Sequence, residues 1–293
     1  MYSPKFTIAG PGAPYTLLFD DDKQPGLSLA PAFQAIYAGD WRIPYYEDRP
    51  YIFTNFVCSH DGRIAFNLPN STSVDISRNH PHDKWLMALL RARADAIVIG
   101  RPTMDSLLRH RWTPEGVFPA DREAFAELRR LEQRNPTPLL VILSASGELP
   151  VQARIFQEEL QPIVVATTSA GAEQARKRLG FAKHIEYHIS SGERVDLKHL
   201  VSDLFSHYHV RTLLSEAGPT SYAALLEANL IEEEFLTRSP IMVGNSAALA
   251  SPRPSLIEGI AFRPEHPPEL ELLSLRRVGN FLFQRSRYRR NSE

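Results

Sequence analysis

Val210-Arg-Thr-Leu-Leu-Ser-Glu-Ala-Gly-Pro-Thr-Ser-Tyr-Ala-Ala-Leu-Leu-Glu-Ala-Asn-Leu230 decides how the chain is read. Thr212 to Ser215 is a short apolar run that ends at the carboxylate of Glu216. Tyr222, Leu225, Leu226 and Leu230 recur at helical spacing. Between these halves, Glu216-Ala217-Gly218-Pro219-Thr220 predicts a strand, a tight turn and the first turn of a helix, with Pro219 where no donor is needed. Such a turn aims free N–H groups and the positive end of the helix dipole at one point, where an anion such as a dinucleotide pyrophosphate fits. An ordinary βα turn, in which Gly218 only relieves backbone strain, uses the same residues.

Working outward, the pattern repeats. Tyr51–Cys58 is a β-rich run followed by the turn Ser59-His-Asp61-Gly62-Arg63, and Arg63 to Phe66 resumes an extended pattern. Residues 67–82 are polar and predict a long ordered loop, a kind that is usually functional. Its His80 and His82 lack a third ligand nearby, which favours a solvated or capping role over metal binding. Asp83 to Ala94 has the stripe of an amphipathic helix, with Arg91 and Arg93 outward or at an end. Asp95-Ala-Ile-Val-Ile-Gly100 is a strand buried on both faces, of parallel-sheet type. Strands at 139–143, 163–166 and 185–189 follow, with helices at 120–133, 172–179 and 197–207, while 104–119 reads as irregular. Gly100, Ser144, Thr167, Thr168 and Gly218 thus stand at strand tips, where α/β sheets bind ligands. Glu233 to Ser239 is a further strand, and 269–276 with 280–287 alternate as a closing antiparallel hairpin. The expected fold is α/β: a mainly parallel sheet with helices on both faces and that hairpin at the end. Residues 1–49, rich in turn formers, read as an extension packed on a main domain of residues 50–293. The basic tail Arg285, Arg287, Arg289 and Arg290 reads as a solvated terminus.

Composition narrows the function classes. The 293 residues are 43% hydrophobic and 23% charged, as in globular proteins. A net charge of −1 argues against a dedicated nucleic-acid or acidic-membrane surface. One cysteine, Cys58, excludes an internal disulfide framework and a multi-thiolate zinc site. No apolar run approaches the roughly 20 residues of a membrane span. A reducing, cytoplasmic setting is expected.

Three stretches in order, Tyr51…Ser59-His-Asp61-Gly62-Arg63-Ile64, Leu90-Arg91-Ala-Arg-Ala-Asp95…Gly100-Arg-Pro-Thr103 and Leu214-Ser-Glu216-Ala-Gly218-Pro-Thr…Glu233, resemble the riboflavin-pathway reductase family. That family comprises the reductase half of the bifunctional riboflavin deaminase–reductase and its stand-alone relatives. The resemblance covers roughly residues 50–285. It implies a dihydrofolate-reductase-like fold, a homodimer, and reduction by NADPH of a ring-closed ribosylamino-pyrimidine phosphate to its ribityl form. It implies that Gly218, Pro219, Thr220, Ser221 and Tyr222 hold the pyrophosphate, and that Cys58, Asp75, Gly100, Thr103 and Ser144 line the cofactor. Thr167 and Thr168 would sit near the adenosine ribose. Ser73, Arg91 and Glu216 would contact substrate, with Glu216 and Asp61 catalytic. Without the resemblance, Arg91 reads rather as a helix-end arginine capping carbonyls. Where the family carries a phosphate-binding arginine, Thr103-Met-Asp105-Ser-Leu-Leu-Arg109-His-Arg111 runs in a shorter frame, offering Arg109 or Arg111 as substitutes. An aromatic of the family is replaced near Asp75-Ile76-Ser77, and the deaminase half is absent. The same fold and cofactor acting on a dihydrofolate-like substrate, or a nucleotide-binding protein without catalysis, are the alternatives.

Overall fold

The apolar runs beginning at Tyr51, Ala96, Leu139, Ile163 and Thr212 all become buried parallel strands in the computed structural model, which describes residues 7–289 apart from 70, 160, 181, 247, 248 and 250. The strands in chain order are β1 (Thr16–Asp20), β2 (Tyr51–Cys58), β3 (Ala96–Gly100), β4 (Leu139–Leu143), β5 (Ile163–Thr168), β6 (Ile185–Ser190), β7 (Thr212–Ser215), β8 (Glu233–Arg238), β9 (Leu270–Val278) and β10 (Phe281–Tyr288). The helices are α1 (Pro31–Tyr37), α2 (Ser73–Ser77), α3 (Pro81–Ala92), α4 (Arg101–Ser106), α5 (Pro114–Val117), α6 (Arg122–Leu131), α7 (Arg154–Gln157), α8 (Ser169–Leu179), α9 (Leu197–Ser206) and α10 (Pro219–Glu227). The strands lie in one sheet in the order β1-β9-β10-β8-β2-β7-β3-β4-β5-β6. From β8 to β6 every pairing is parallel, and β10, β9 and β1 complete the other side antiparallel.

Alternation across the pleat divides the core. Ile97 and Ile99 of β3 pack with Phe33 of α1, Trp85 and Leu89 of α3 and Phe125 of α6. Ala96 and Val98 pack on the other face with Leu200 and Leu204 of α9 and Leu225 of α10.

Register creates the one break that matters for function. β2 pairs with β7 only over Tyr51–Thr54, then continues to Cys58 against β8. β3 pairs with β7 only to Val98, then continues to Gly100 against β4. β7 stops between them at Ser215, so the sheet opens a notch at the carboxyl ends of its two central neighbours.

Several expectations are revised. The polar segment 67–82 holds α2 and the start of α3, while 63–66 forms only a bridge, Arg63 to Ser255. Residues 104–119 contain α5, a short helix capped by Thr113, whose hydroxyl accepts from the Gly116 amide. Arg93 does not point outward: fully buried, it ion-pairs with Glu132 at 2.7 Å and donates to the carbonyls of Leu27 and Trp41. Nor is the arginine tail solvated throughout. β10 lies inside the sheet, so Arg285 is buried, with Nε 2.7 Å from Glu233 and Nη2 2.7 Å from Asp22. Arg287 joins the same two carboxylates at 2.7 and 3.2 Å. Arg289 is exposed and pairs with Glu269, and Arg290 lies outside the described residues.

Asp22 belongs to the N-terminal segment, which β1 ties to β9 and which sends Tyr15, Phe33, Tyr37 and Trp41 into the main core. His82 serves the same docking. His82 contacts the Ala13 carbonyl through Nε2 at 2.8 Å and its own carbonyl accepts from the Tyr15 hydroxyl at 2.6 Å, while His80 packs 4.2 Å from the Phe281 ring. Among the described residues no helix is long and apolar enough to cross a membrane.

Candidate active site

The notch left by β7 is the floor of a cleft of about 380 Å³. Asn55, Phe56 and Val57 of β2 form one wall, Glu216, Ala217 and Gly218 the floor, and α2, α3 and the segment 103–117 the rest. Local sequence sets each part in place. Thr72 caps α2 in a box with Asp75, and Pro81 opens α3. The carboxyl end of α3 is held by Arg129, whose Nη1 donates to the carbonyls of Arg91, Ala92 and Ala94 at 3.1, 3.1 and 2.7 Å.

α3 delivers Arg91 to the floor. Its Nε and Nη2 donate to the two oxygens of Glu216 at 2.8 and 2.6 Å, a bidentate pair that is 2% and 9% exposed. The Glu216 amide in turn donates to the Val98 carbonyl at 2.9 Å, fixing the backbone beside β3. Nη1 of Arg91 lies 2.8 Å from Nε2 of His110 and reaches the carbonyls of Arg111 and Thr113. A guanidinium can only donate, so His110 must accept through Nε2 and carry its proton on Nδ1. Burial, and then the Arg91 charge, push its pKa down to about 3, so the ring is neutral. Asp83, in the first turn of α3, also lines the cleft. Burial raises its pKa to about 6, against the opposing effect of the Thr237 and Ser77 hydroxyls. A buried carboxyl with such a shift in a cleft is a candidate functional position.

Of the residues expected from sequence, Ser73, Arg91, Thr103, Glu216 and Gly218 meet in this cleft. Pro219, Thr220 and Ser221 form the first turn of α10 next to it, and Gly100 lies against that turn: a Cβ on Gly100 would sit 3.7 Å from Ser221 Oγ and 3.9 Å from the Gly218 nitrogen.

Others are placed differently, each for a visible reason. Asp61 accepts from the Ser59 hydroxyl at 2.6 Å and the amides of Val243 and Gly244 at 3.0 and 2.7 Å, and these bonds, the Ser59 one foremost, pull its pKa down to about 2. It staples the turn after β2 and is not among the residues that line the cleft. Asp75 spends its carboxylate on the Thr72 amide and the Ser71 hydroxyl. Cys58 is buried and its thiol is pushed up to about 11 by burial, which keeps it inert.

The side chain of Tyr222 turns into the core, where its hydroxyl bonds Glu234 and Tyr288. Thr167 and Thr168 both donate to the Ala145 carbonyl, and Thr168 also caps α8 by accepting from Gly171. That loop is tight: Gly147 has φ +66°, and a Cβ there would stand 1.8 Å from the Gly171 carbonyl oxygen. Ser144 is buried with its hydroxyl unpartnered. Arg111 lines a separate small recess with Arg154 and Glu158, because its carbonyl, not its side chain, faces Arg91. Arg109 is exposed outside the cleft.

His110, Asp83 and Lys84, which also lines the cleft, were not singled out from sequence. Asp83 and Lys84 stand about two turns before Arg91 on the predicted helix, a spacing that offered a signal; His110 lay in a stretch without periodicity and offered none.

Comparison with known proteins follows the same lines. The chain is 26% identical over 214 residues to a 2,5-diamino-6-ribosylamino-4(3H)-pyrimidinone 5′-phosphate reductase of Archaeoglobus fulgidus, covering 73% of this chain and 89% of that one. It is 24% identical over 203 residues to the protein of the same name from Methanothermobacter thermautotrophicus, covering 68% and 82%. Among solved structures, a pyrimidine reductase-like protein from Corynebacterium diphtheriae superposes with a TM-score of 0.60 at 21% identity, over 83% of this chain and 94% of that one. Acinetobacter baumannii RibD superposes with a TM-score of 0.56 at 19% identity over 83% of this chain, which spans 59% of the length of that protein. These likenesses show a shared α/β fold. The RibD C-terminal domain model matches residues 50–282, and the chain therefore belongs to that family, the reductases of riboflavin biosynthesis.

Proposed function

We propose that the protein is an NADPH-dependent reductase of a pyrimidine carrying a ribosylamino 5′-phosphate, converting the ring-closed ribose to the ribityl chain. The observation that carries this reading is the Arg91–Glu216 pair on the floor of a cleft that opens beside the amino end of α10. α10 begins without a side-chain cap, and a Cβ on Gly218 would meet nothing within 4 Å. An open cradle of this kind fits a dinucleotide pyrophosphate, which Gly218, Pro219, Thr220 and Ser221 would hold. When bound, the cofactor supplies a hydride.

The chain's own residues do the rest. Arg91 fixes Glu216 as an acceptor aimed into the cleft, so that hydroxyl or amino groups of the substrate are oriented before reaction. Neutral His110 holds Arg91 without adding a competing charge. Reduction at carbon also needs one proton, and Asp83, with a pKa of about 6, is the cleft's carboxyl suited to give it near neutral pH. Lys84 provides the cationic contact for the substrate phosphate that Arg109 and Arg111 do not. A cytoplasmic homodimer completes the proposal, supported by the exposed Leu17 and Leu18 on the edge strand β1.

The direct test is calorimetric titration with NADPH, then NADPH oxidation in the presence of the diaminopyrimidine ribosylamino-phosphate. Binding and stoichiometric turnover support the reading. Absence of NADPH binding would remove the cofactor, and binding without turnover would remove the substrate.

A further inference from the structure

On the edge of the sheet five strands from β2, His188 of β6 faces α9. Its Nδ1 lies 2.9 Å from the Asp203 carboxylate, and its ring centroid is 5.1 Å from that of His199. One donor atom from each of His188, His199 and Asp203 falls within 4.8 Å of the others. We propose that these three side chains form a site for a zinc-type divalent transition metal, separate from the reductase cleft and independent of its substrate.

The three side chains are held in different ways. His199 and Asp203 stand four residues apart on α9, the spacing that stacks two side chains on one helical face. His188 is buried, and its Nε2 has no partner, so the contact at Nδ1 is the polar interaction that orients the ring. The other two are less buried: His199 is exposed and the Asp203 side chain is 43% exposed, so both can adjust. Tetrahedral zinc needs donors roughly 3.3 Å apart, from metal–ligand bonds of about 2.0–2.1 Å. Small rotations about exposed χ angles close the remaining gap while His188 stays fixed.

The donor set is chemically selective. Two imidazoles and a carboxylate suit zinc, cobalt, nickel or copper, and not magnesium or calcium, which want oxygen ligands. A polar recess of about 560 Å³, lined by Glu186 and Tyr208 as well as His188 and Asp203, opens beside the cluster, so water can complete the shell. His188 would exchange its proton for the metal. The ion would bridge the edge strand β6 to α9 across the loop between them and hold that edge in place.

Zinc titration of metal-free protein by calorimetry tests this. One site per chain is expected, weakened at least about tenfold in His199→Ala and in Asp203→Ala and unchanged in His80→Ala. Because replacing buried His188 risks the fold, exposed His199 carries the test. Zinc at a hundredfold excess over its Kd should also raise the Tm of the native protein by about 5 °C and, at the same concentration, that of His199→Ala by about half as much or less. Cobalt should give tetrahedral visible bands that vanish in the same variants. Equal zinc affinity of native protein and His199→Ala, or loss that follows His80→Ala instead, would overturn the site.

Discussion

Arg91 grips both oxygens of Glu216, at 2.8 and 2.6 Å, across the point where β7 ends and the sheet opens. The pair joins a helix to a strand tip that lies 125 residues later in the chain. A lysine could not reproduce it, because it offers one charge but no fork. Arg91→Lys is expected to lower turnover about 100-fold, the scale of a misplaced reacting group, while NADPH affinity changes less than about twofold. Steady-state rates beside calorimetric titration give the comparison. Equal losses in both would make the pair a support of the cofactor turn.

Gly218 separates cofactor binding from folding. Its φ of −67° suits any residue and the space before it is open, so Gly218→Ala should shift the Tm little. The added methyl would stand where the pyrophosphate is proposed, and NADPH should bind at least about tenfold more weakly, by about 1.4 kcal/mol. Unchanged NADPH affinity in a folded variant would place the pyrophosphate elsewhere.

Asp83 predicts an unusual pH dependence. Its pKa is raised by burial to about 6, against about 3.9 in the unfolded chain. The folded state thus holds the extra proton, so this contribution to stability is full below about pH 4 and is lost as pH rises through 6. The shift corresponds to about 3 kcal/mol. Asp83→Asn should therefore gain stability relative to the native protein between pH 4.5 and pH 7.5, measured by urea unfolding at both. A pH-independent difference would mean that Asp83 titrates normally.

Tyr222 tests whether a residue of the opening motif belongs to the cofactor or to the core. Its hydroxyl bonds the buried Glu234, whose own pKa is raised by burial. Tyr222→Phe should cost about 1–3 kcal/mol by leaving that carboxyl a partner short. NADPH affinity should not move. A variant as stable as the native protein but weaker for NADPH would reverse the assignment.

The strands and the longer helices were legible because their signals are local. The period of two in 280–287, the continuous apolar run of 96–100 and the helical stripe of 222–230 each state what their own residues need to bury. The strand–turn–helix around Gly218 was legible for the same reason, and so was the α/β class that follows from alternation. Within the site, Arg91, Glu216 and Thr103 could be named because they sit in ordered motifs.

Burial of charge was not legible. Arg285 and Arg287 look like a solvated tail in one dimension, and become a buried network with Glu233 and Asp22 because β10 is inserted between β8 and β9. Asp61, Thr167 and Thr168 look like chemistry at strand tips, yet their polar atoms are consumed by neighbouring backbone and side-chain groups. Asp83 and His110 acquire shifted pKa values only from what surrounds them. Hydrogen-bond satisfaction and desolvation depend on neighbours distant in the chain. By itself, then, the sequence determined the strands of the sheet, the longer helices, their order and the turn that opens α10; where the short helices α2 and α5 form, where β7 stops between β2 and β3, and so where the cleft lies and which polar groups remain to line it, was decided by strand register and packing.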